Sequence, residues 1–407
     1  MQNHLLRRAV SQLARGLDRV FTGTALQPPS FLTGRAGGKR GKHRDRATPL
    51  DHDKRLRTLQ LFASFYGRPA FLTTENALLP RPGRIHPQLT RVRSFGSHGE
   101  VLDLRWTSEF EPLWSRASVE AHLASLPSDE RAQLSGPAEL DLDRTGDVPE
   151  KYLRAQANRT AHARWFKHTG DRSRPRPCVV LIHGYMAGHY ALEERIWQVR
   201  RLFDSGLDVM LTVLPLHGPR RAESRGYLPP AFPSSDTRFT IEGFRQVVFD
   251  HRALFDYLRS VGVRERGVMG MSLGGYSAGL LATLEPQLRF AVLVVPLAAI
   301  EDFAHGSGRM PGSDREQLAL RDALQRAQAP ISPLSRTSLV PNDRVIVVAG
   351  EADLVTGVTH ARKLSEHFGA QLSFFHGGHL LHAGREQALV PVWRLLGTFA
   401  ASGLAQD

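Results

Sequence analysis

Short continuous apolar runs begin at residue 178 and recur towards the C-terminus: CVVLI (178–182), VMLTVL (209–214), GVMG (267–270), FAVLVV (290–295), RVIVVA (344–349) and QLSFF (371–375). Runs this short, apolar at nearly every position, are the pattern of strands covered on both faces. The segments between them have helical spacing instead, as in Leu192, Ile196 and Val199, in Phe244, Val248, Leu254, Phe255 and Leu258, and in Val392, Leu395, Leu396 and Phe399. Strand and helix in alternation predict an α/β protein whose mostly parallel, doubly wound sheet carries helices on both faces.

Upstream the pattern changes. EVLDLRW (100–106) alternates like a half-buried strand, RTAHARWF (159–166) reads similarly, and residues 118–136 between them predict a helical insertion broken at Pro127, Ser128 and Asp129. At the start, Leu6, Val10, Leu13, Leu17 and Val20 recur at steps of three and four among Arg7, Arg8, Arg15 and Arg19. This is a basic amphipathic helix, assigned to residues 1–33. Such a stripe docks on the protein's own body or a second subunit, or lies on an anionic membrane surface as a peripheral contact. Residues 34–50, rich in glycine and charge, predict a flexible basic linker. Residues 51–97 read as a helical extension in which Leu56, Leu59 and Phe62 share a face before Gly67 and Pro69. The main domain is placed at 98–402.

Charge sharpens this division. The net +13 of the 407 residues is uneven, with +9 in residues 1–60 and only +4 in the rest. The globular part has no basic stripe for phosphates, so no nucleic-acid partner is expected. No apolar run approaches the roughly 18 residues of a membrane span, and residues 1–30 lack the apolar centre of a secretory signal; a cytoplasmic location is expected. Cys178 is the one cysteine, which excludes an intrachain disulfide and a cysteine-based metal cluster.

The candidate chemistry lies at GVMGMSLGGYSAG (267–279), where Ser272 stands between the end of an apolar run and a helical stretch. A serine on a sharp strand-to-helix turn crowds the positions two before and two after, so Gly270 and Gly274 must lack bulk. The helix that follows aims its N-terminus at the same place, where free N–H groups favour a developing negative charge.

With this context the chain resembles the α/β-hydrolase superfamily over about residues 98–402. CVVLI runs into HGYMAG (183–188), similar to that family's His-Gly oxyanion loop; RVIVVA runs into GEADLV (350–355), similar to its acid loop; QLSFF runs into HGGHLLH (376–382), similar to its histidine loop. The order Ser, Asp, His is that of the family. The resemblance implies a serine esterase with Ser272 as nucleophile, His379 as base and Asp353 as the orienting acid, the oxyanion being held by the backbone N–H groups of Tyr185 and Leu273. Met186 is a further oxyanion candidate, and Asp302 would be the acid if it followed the preceding strand. His376, His382, Glu351, His183, His217 and Ser277 read as supporting residues. Two insertions, about 218–240 and 301–340, are placed over the site, and Arg220, Arg221 and Arg225 in the first offer charge for an acidic substrate. The implied reaction is hydrolysis of a small-molecule carboxylic ester without cofactor or metal. Thioester, amide and acyl-transfer chemistry use the same groups, and a non-catalytic binding or scaffold protein of the same fold is the alternative of another class.

Overall fold

In the protein's computed structural model, residues 2–24, 49–68, 71, 78–134, 148–169, 175–221, 230–308 and 310–404 are described. The expected linker over 34–50 lies outside them except for its last two residues, which begin a helix.

Nine strands form one sheet: β1 Gln88–Ser94, β2 Gly99–Thr107, β3 Thr160–His168, β4 Cys178–Ile182, β5 Asp208–Thr212, β6 Arg266–Met271, β7 Leu288–Val294, β8 Val345–Gly350 and β9 Gln371–Phe375. Their order is β1-β2-β3-β5-β4-β6-β7-β8-β9. The first three and β5 pair antiparallel, whereas every pair from β5 to β9 is parallel. The parallel strands are those predicted from apolar runs, and β4 and β5 are buried at every position. Their side chains alternate between two cores. Val180, Ile182 and Val268 join one; Val179, Leu181 and Met269 join the other.

The antiparallel end departs from the sequence reading. Residues 88–94, assigned to a helical extension, form the edge strand β1, paired from Gln88 opposite Arg105 to Ser94 opposite Glu100. All seven β1 residues are exposed, so no apolar alternation announces the strand. Its arginines instead suit an edge that must resist pairing with other chains.

Two N-terminal helices attach in different ways. Helix α2 (Pro49–Tyr66) enters the main core, where Phe62 and Phe65 stand edge-on to Trp114 at 4.9 and 4.8 Å and the Tyr66 hydroxyl donates to buried Glu242 at 2.8 Å. Helix α1 (Gln2–Thr24) does the reverse of what its apolar stripe predicts for docking on the body. Leu13, Leu17 and Val20 are 60, 42 and 65 % exposed, while Ala14 and Asp18 are fully buried. No helix among the described residues is long and apolar enough to cross a membrane.

The predicted insertion between β2 and β3 is a helix pair, α3 (Arg116–Ser125) and α4 (Ser128–Leu134), split at the expected Pro-Ser-Asp break. A long helix, α5 (Thr237–Ser260), is buried along most of its length, charged residues included. Arg252 of α5 pairs with Glu285 at 2.6 Å and Arg220 pairs with Asp250 at 2.8 Å. Arg220 is therefore no surface lure for an acidic substrate. The buried carboxylate of Asp250 needs a cation, and Arg220 also donates to the carbonyls of Val213 and Asn158. Arg225 lies outside the described residues.

Candidate active site

The site is assembled at the carboxyl ends of β4, β6, β8 and β9. Ser272 follows β6 and precedes helix α6 (Leu273–Ala282) with φ 56° and ψ −115°, a positive-φ conformation that few non-glycine residues adopt. The turn is that tight because backbone crosses backbone. A Cβ on Gly270 would sit 1.9 Å from the carbonyl oxygen of Gly274, and one on Gly274 would sit 2.0 Å from that of Ile182. Only hydrogen fits at either position. The Ser272 backbone is further fixed by its N–H to Val294 and by its carbonyl, which accepts from Leu297 and Tyr276.

On the other side, the loops after β8 and β9 bring Asp353 and His379 together. Asp353 Oδ2 lies 2.9 Å from His379 Nδ1, and His379 Nε2 lies 2.9 Å from Ser272 Oγ. Burial would raise the Asp353 carboxyl, but the neighbouring His379 ring and donors from His379, Thr356 and Val355 hold it down at about 2. The carboxylate is ionised and only accepts, so the proton sits on Nδ1 and Nε2 is left to accept from the serine hydroxyl. Asp353 Oδ1 also accepts from the backbone N–H of Val355 at 2.8 Å and of Thr356 at 3.0 Å. The Thr356 hydroxyl lies 2.8 Å from Oδ2. Thr356 went unnoticed in the sequence; the aspartate closes its turn through the Val355 N–H two positions on, and that local signal does not name the hydroxyl beside it.

The other candidates separate cleanly. Asp302 is held by Arg321 at 2.7 Å and by Lys363, so Asp353 and not Asp302 reaches the histidine. His376 pairs with Glu351 at 2.6 Å. His382 Nε2 donates to the His379 carbonyl at 2.8 Å, and burial, with Arg385 nearby, lowers the ring to about 4, keeping it neutral. His183 Nδ1 donates to the Gly184 carbonyl at 2.7 Å, while Nε2 accepts from the Leu214 N–H at 3.0 Å, which makes it a loop brace. His217 is buried against the Pro215 carbonyl, and the Ser277 hydroxyl caps the Leu273 carbonyl.

The loop after β4 passes directly beside the serine, since a Cβ on Gly184 would lie 3.3 Å from that of Ser272. Tyr185 follows Gly184, its hydroxyl directed to the Pro230 carbonyl at 3.4 Å, and Met186 takes φ 63°. Leu273 opens α6, where a first-turn N–H has no acceptor within its own helix. Of the first insertion, Phe232 is fully buried, 4.9 Å from the Phe244 ring, and so belongs to the core. In the second, helix α7 (Asp314–Gln328) packs on α2.

No family profile matches the chain. Two curated proteins of Mycobacterium tuberculosis, both uncharacterized, are 34% identical to it over 237 residues, covering 56% of this chain and 55% of theirs. The chain thus spans about half the length of the curated relatives it matches. Among solved structures, an acetyl xylan esterase from Paenibacillus sp. R4 is 14% identical with a TM-score of 0.50, over 91% of this chain and 99% of that one. Acetyl xylan esterase 1 from Thermoanaerobacterium sp. JW/SL YS485 is 16% identical with a TM-score of 0.48, over 92% and 99%. At such identities a likeness speaks to the fold alone. The chain has the α/β-hydrolase fold.

Proposed function

We propose that the protein is a serine hydrolase that cleaves a small-molecule carboxylic ester through an acyl-enzyme. The observation that carries this reading is the unbroken line from Ser272 through His379 to Asp353, with 2.9 Å at each step. Ser272 Oγ attacks the ester carbonyl while His379 Nε2 takes its proton. The oxyanion that forms is met by the N–H groups of Leu273 and Tyr185, fixed before the substrate arrives. Collapse expels the alcohol, which receives the proton from His379; a water then gives its proton to the same nitrogen, attacks the acyl group and frees Ser272. Asp353 holds the ring in the required tautomer and stabilises the imidazolium.

The test is turnover of a p-nitrophenyl ester series from acetate to palmitate by the wild type and by Ser272→Ala, with labelling by a serine-directed phosphonate. A loss of at least ~10³-fold in the variant is expected, with the label on Ser272. Labelling without ester turnover would move the reading to thioesters, amides or acyl transfer; neither labelling nor turnover would leave a binding protein.

A second reading concerns location and rests on the outward stripe of α1. Exposed Leu13, Leu17 and Val20 beside the exposed side chains of Arg15 and Arg19 suit an anionic lipid surface. Co-sedimentation with phosphatidylglycerol vesicles is expected, weakened in Leu13→Ser/Leu17→Ser; no sedimentation, or self-association of the chain instead, overturns it.

A further inference from the structure

Helix α1 does not merely rest on the body. Its inward face consists of half-buried Ser11 and fully buried Ala14 and Asp18, spaced three and four apart on one side of the helix, and all three meet the loop that carries His379. The Ser11 hydroxyl donates to the His376 carbonyl at 2.9 Å. Ala14 lies so close to Gly378 that a Cβ there would be 3.2 Å from its own Cβ.

Asp18 goes further, because its two oxygens join two loops. Oδ2 accepts from the backbone N–H of Leu354 at 3.0 Å and from that of His379 at 2.9 Å; Oδ1 accepts from that of Leu380 at 3.1 Å. Leu354 directly follows Asp353. One fully buried carboxylate therefore ties the acid loop to the base loop. A buried carboxylate is costly unless its oxygens are hydrogen-bonded, and three N–H groups supply those bonds. Glycine at 378 permits the approach, since a Cβ would stand 2.7 Å from Asp18 Oδ2.

We infer that Asp18 is a positioning residue that sets the distance between Asp353 and His379 from a helix outside the α/β sheet. The inference rests on the reading of Ser272, His379 and Asp353 as a catalytic triad. Asp353 Oδ2 and His379 Nδ1 stand on two loops joined at their base by the Ala352 N–H to Gly377 carbonyl bond of 3.1 Å, and Asp18 adds a tie at Leu354 and His379, next to the two groups themselves. Misplacing a catalytic group by about 1 Å costs as much as ~10²-fold in rate. Helix α1 docked through Asp18 thereby becomes part of the working site.

The experiment compares full-length wild type, Asp18→Ala, Asp18→Asn and Gln12→Ala, an exposed position on the same helix. Each is titrated with the phosphonate, which gives the number of reactive serines and the inactivation rate per reactive serine, and kcat and KM follow on any ester that turns over. Asp18→Ala is expected to lower the rate per reactive serine and kcat by ~10- to 100-fold with KM within about twofold. Asp18→Asn keeps the shape and one accepting oxygen and should fall between it and the wild type. Gln12→Ala should match the wild type. A loss seen only as fewer reactive serines, each reacting at the wild-type rate, would mean that Asp18 merely holds the fold together and would overturn the inference. So would unchanged rates in folded Asp18→Ala. If the wild-type Ser272 is itself never labelled, the triad reading fails and takes this inference with it, an outcome distinct from the other two.

Discussion

Ser272 and His379 meet across 2.9 Å, yet the two halves of the site are held by different physics. The serine half is steric and local. Its strained turn exists because glycines at 270 and 274 let backbone approach backbone, and the five residues 270–274 contain the device apart from the Ile182 carbonyl against which Gly274 packs. The half built on Asp353 and His379 is polar and distant. Asp353, Thr356 and His379 are tied by hydrogen bonds between two loops, and the loops are tied in turn by Asp18, more than 300 positions away in the chain. Steric restraint tolerates no added atom, while a polar restraint can be weakened one bond at a time.

The largest expected effect tests the polar half. Asp353→Asn should leave the fold intact and lower kcat by ~10³- to 10⁴-fold, because the amide favours the wrong tautomer of His379. Near-normal kcat would show that the 2.9 Å contact does not orient the base. Next comes the steric half. Gly274→Ala places a methyl group 2.0 Å from a carbonyl oxygen and should destabilise by about 3 kcal/mol or more, read as a lower midpoint of chemical unfolding together with lost activity. A stable, active variant would mean that the turn is less constrained than its contacts.

A smaller effect follows from pH. Because the folded Asp353 carboxyl is held at about 2, below the ordinary 3.8, it contributes stability that is present above pH ~4 and is lost as pH falls towards ~2. The contribution is about 2 kcal/mol, so unfolding midpoints should fall less steeply across this window in Asp353→Asn than in the wild type. Equal slopes would remove the electrostatic side of the comparison. The smallest effect is that of Ser11→Ala, which deletes one partly buried bond to the His376 carbonyl and should cost about 1 kcal/mol with kcat unchanged. A fall in kcat there would extend the positioning role along α1.

The same contrast explains what was legible beforehand. Strands β4 to β8 were readable because burial on both faces requires unbroken apolar runs, whereas β9 has such a run although only Phe375 of it is buried. The turn at Ser272 was readable because glycine is the only residue that fits it. Strand β1 was missed, since a fully exposed edge strand needs no apolar alternation. Helix α1 was found, but its docking face was not. The apolar stripe of Leu13, Leu17 and Val20 looks outward, and the contact is made by a serine, an alanine and an aspartate whose value lies in closeness and hydrogen bonding. Arg220 was misjudged for a related reason, because a buried partner such as Asp250 is invisible in the one-dimensional charge pattern.

The sequence by itself determined the parallel half of the sheet, the strand-to-helix turn and the Ser, Asp, His order. Each depends on residues near one another in the chain, whose volume, backbone freedom or hydrophobicity carries the information. Only the tertiary structure decided which aspartate faces His379, which arginine is buried and that Asp18 bridges the loops of Asp353 and His379. Those outcomes depend on hydrogen-bond geometry between distant segments, and such geometry leaves no period and no composition bias to read.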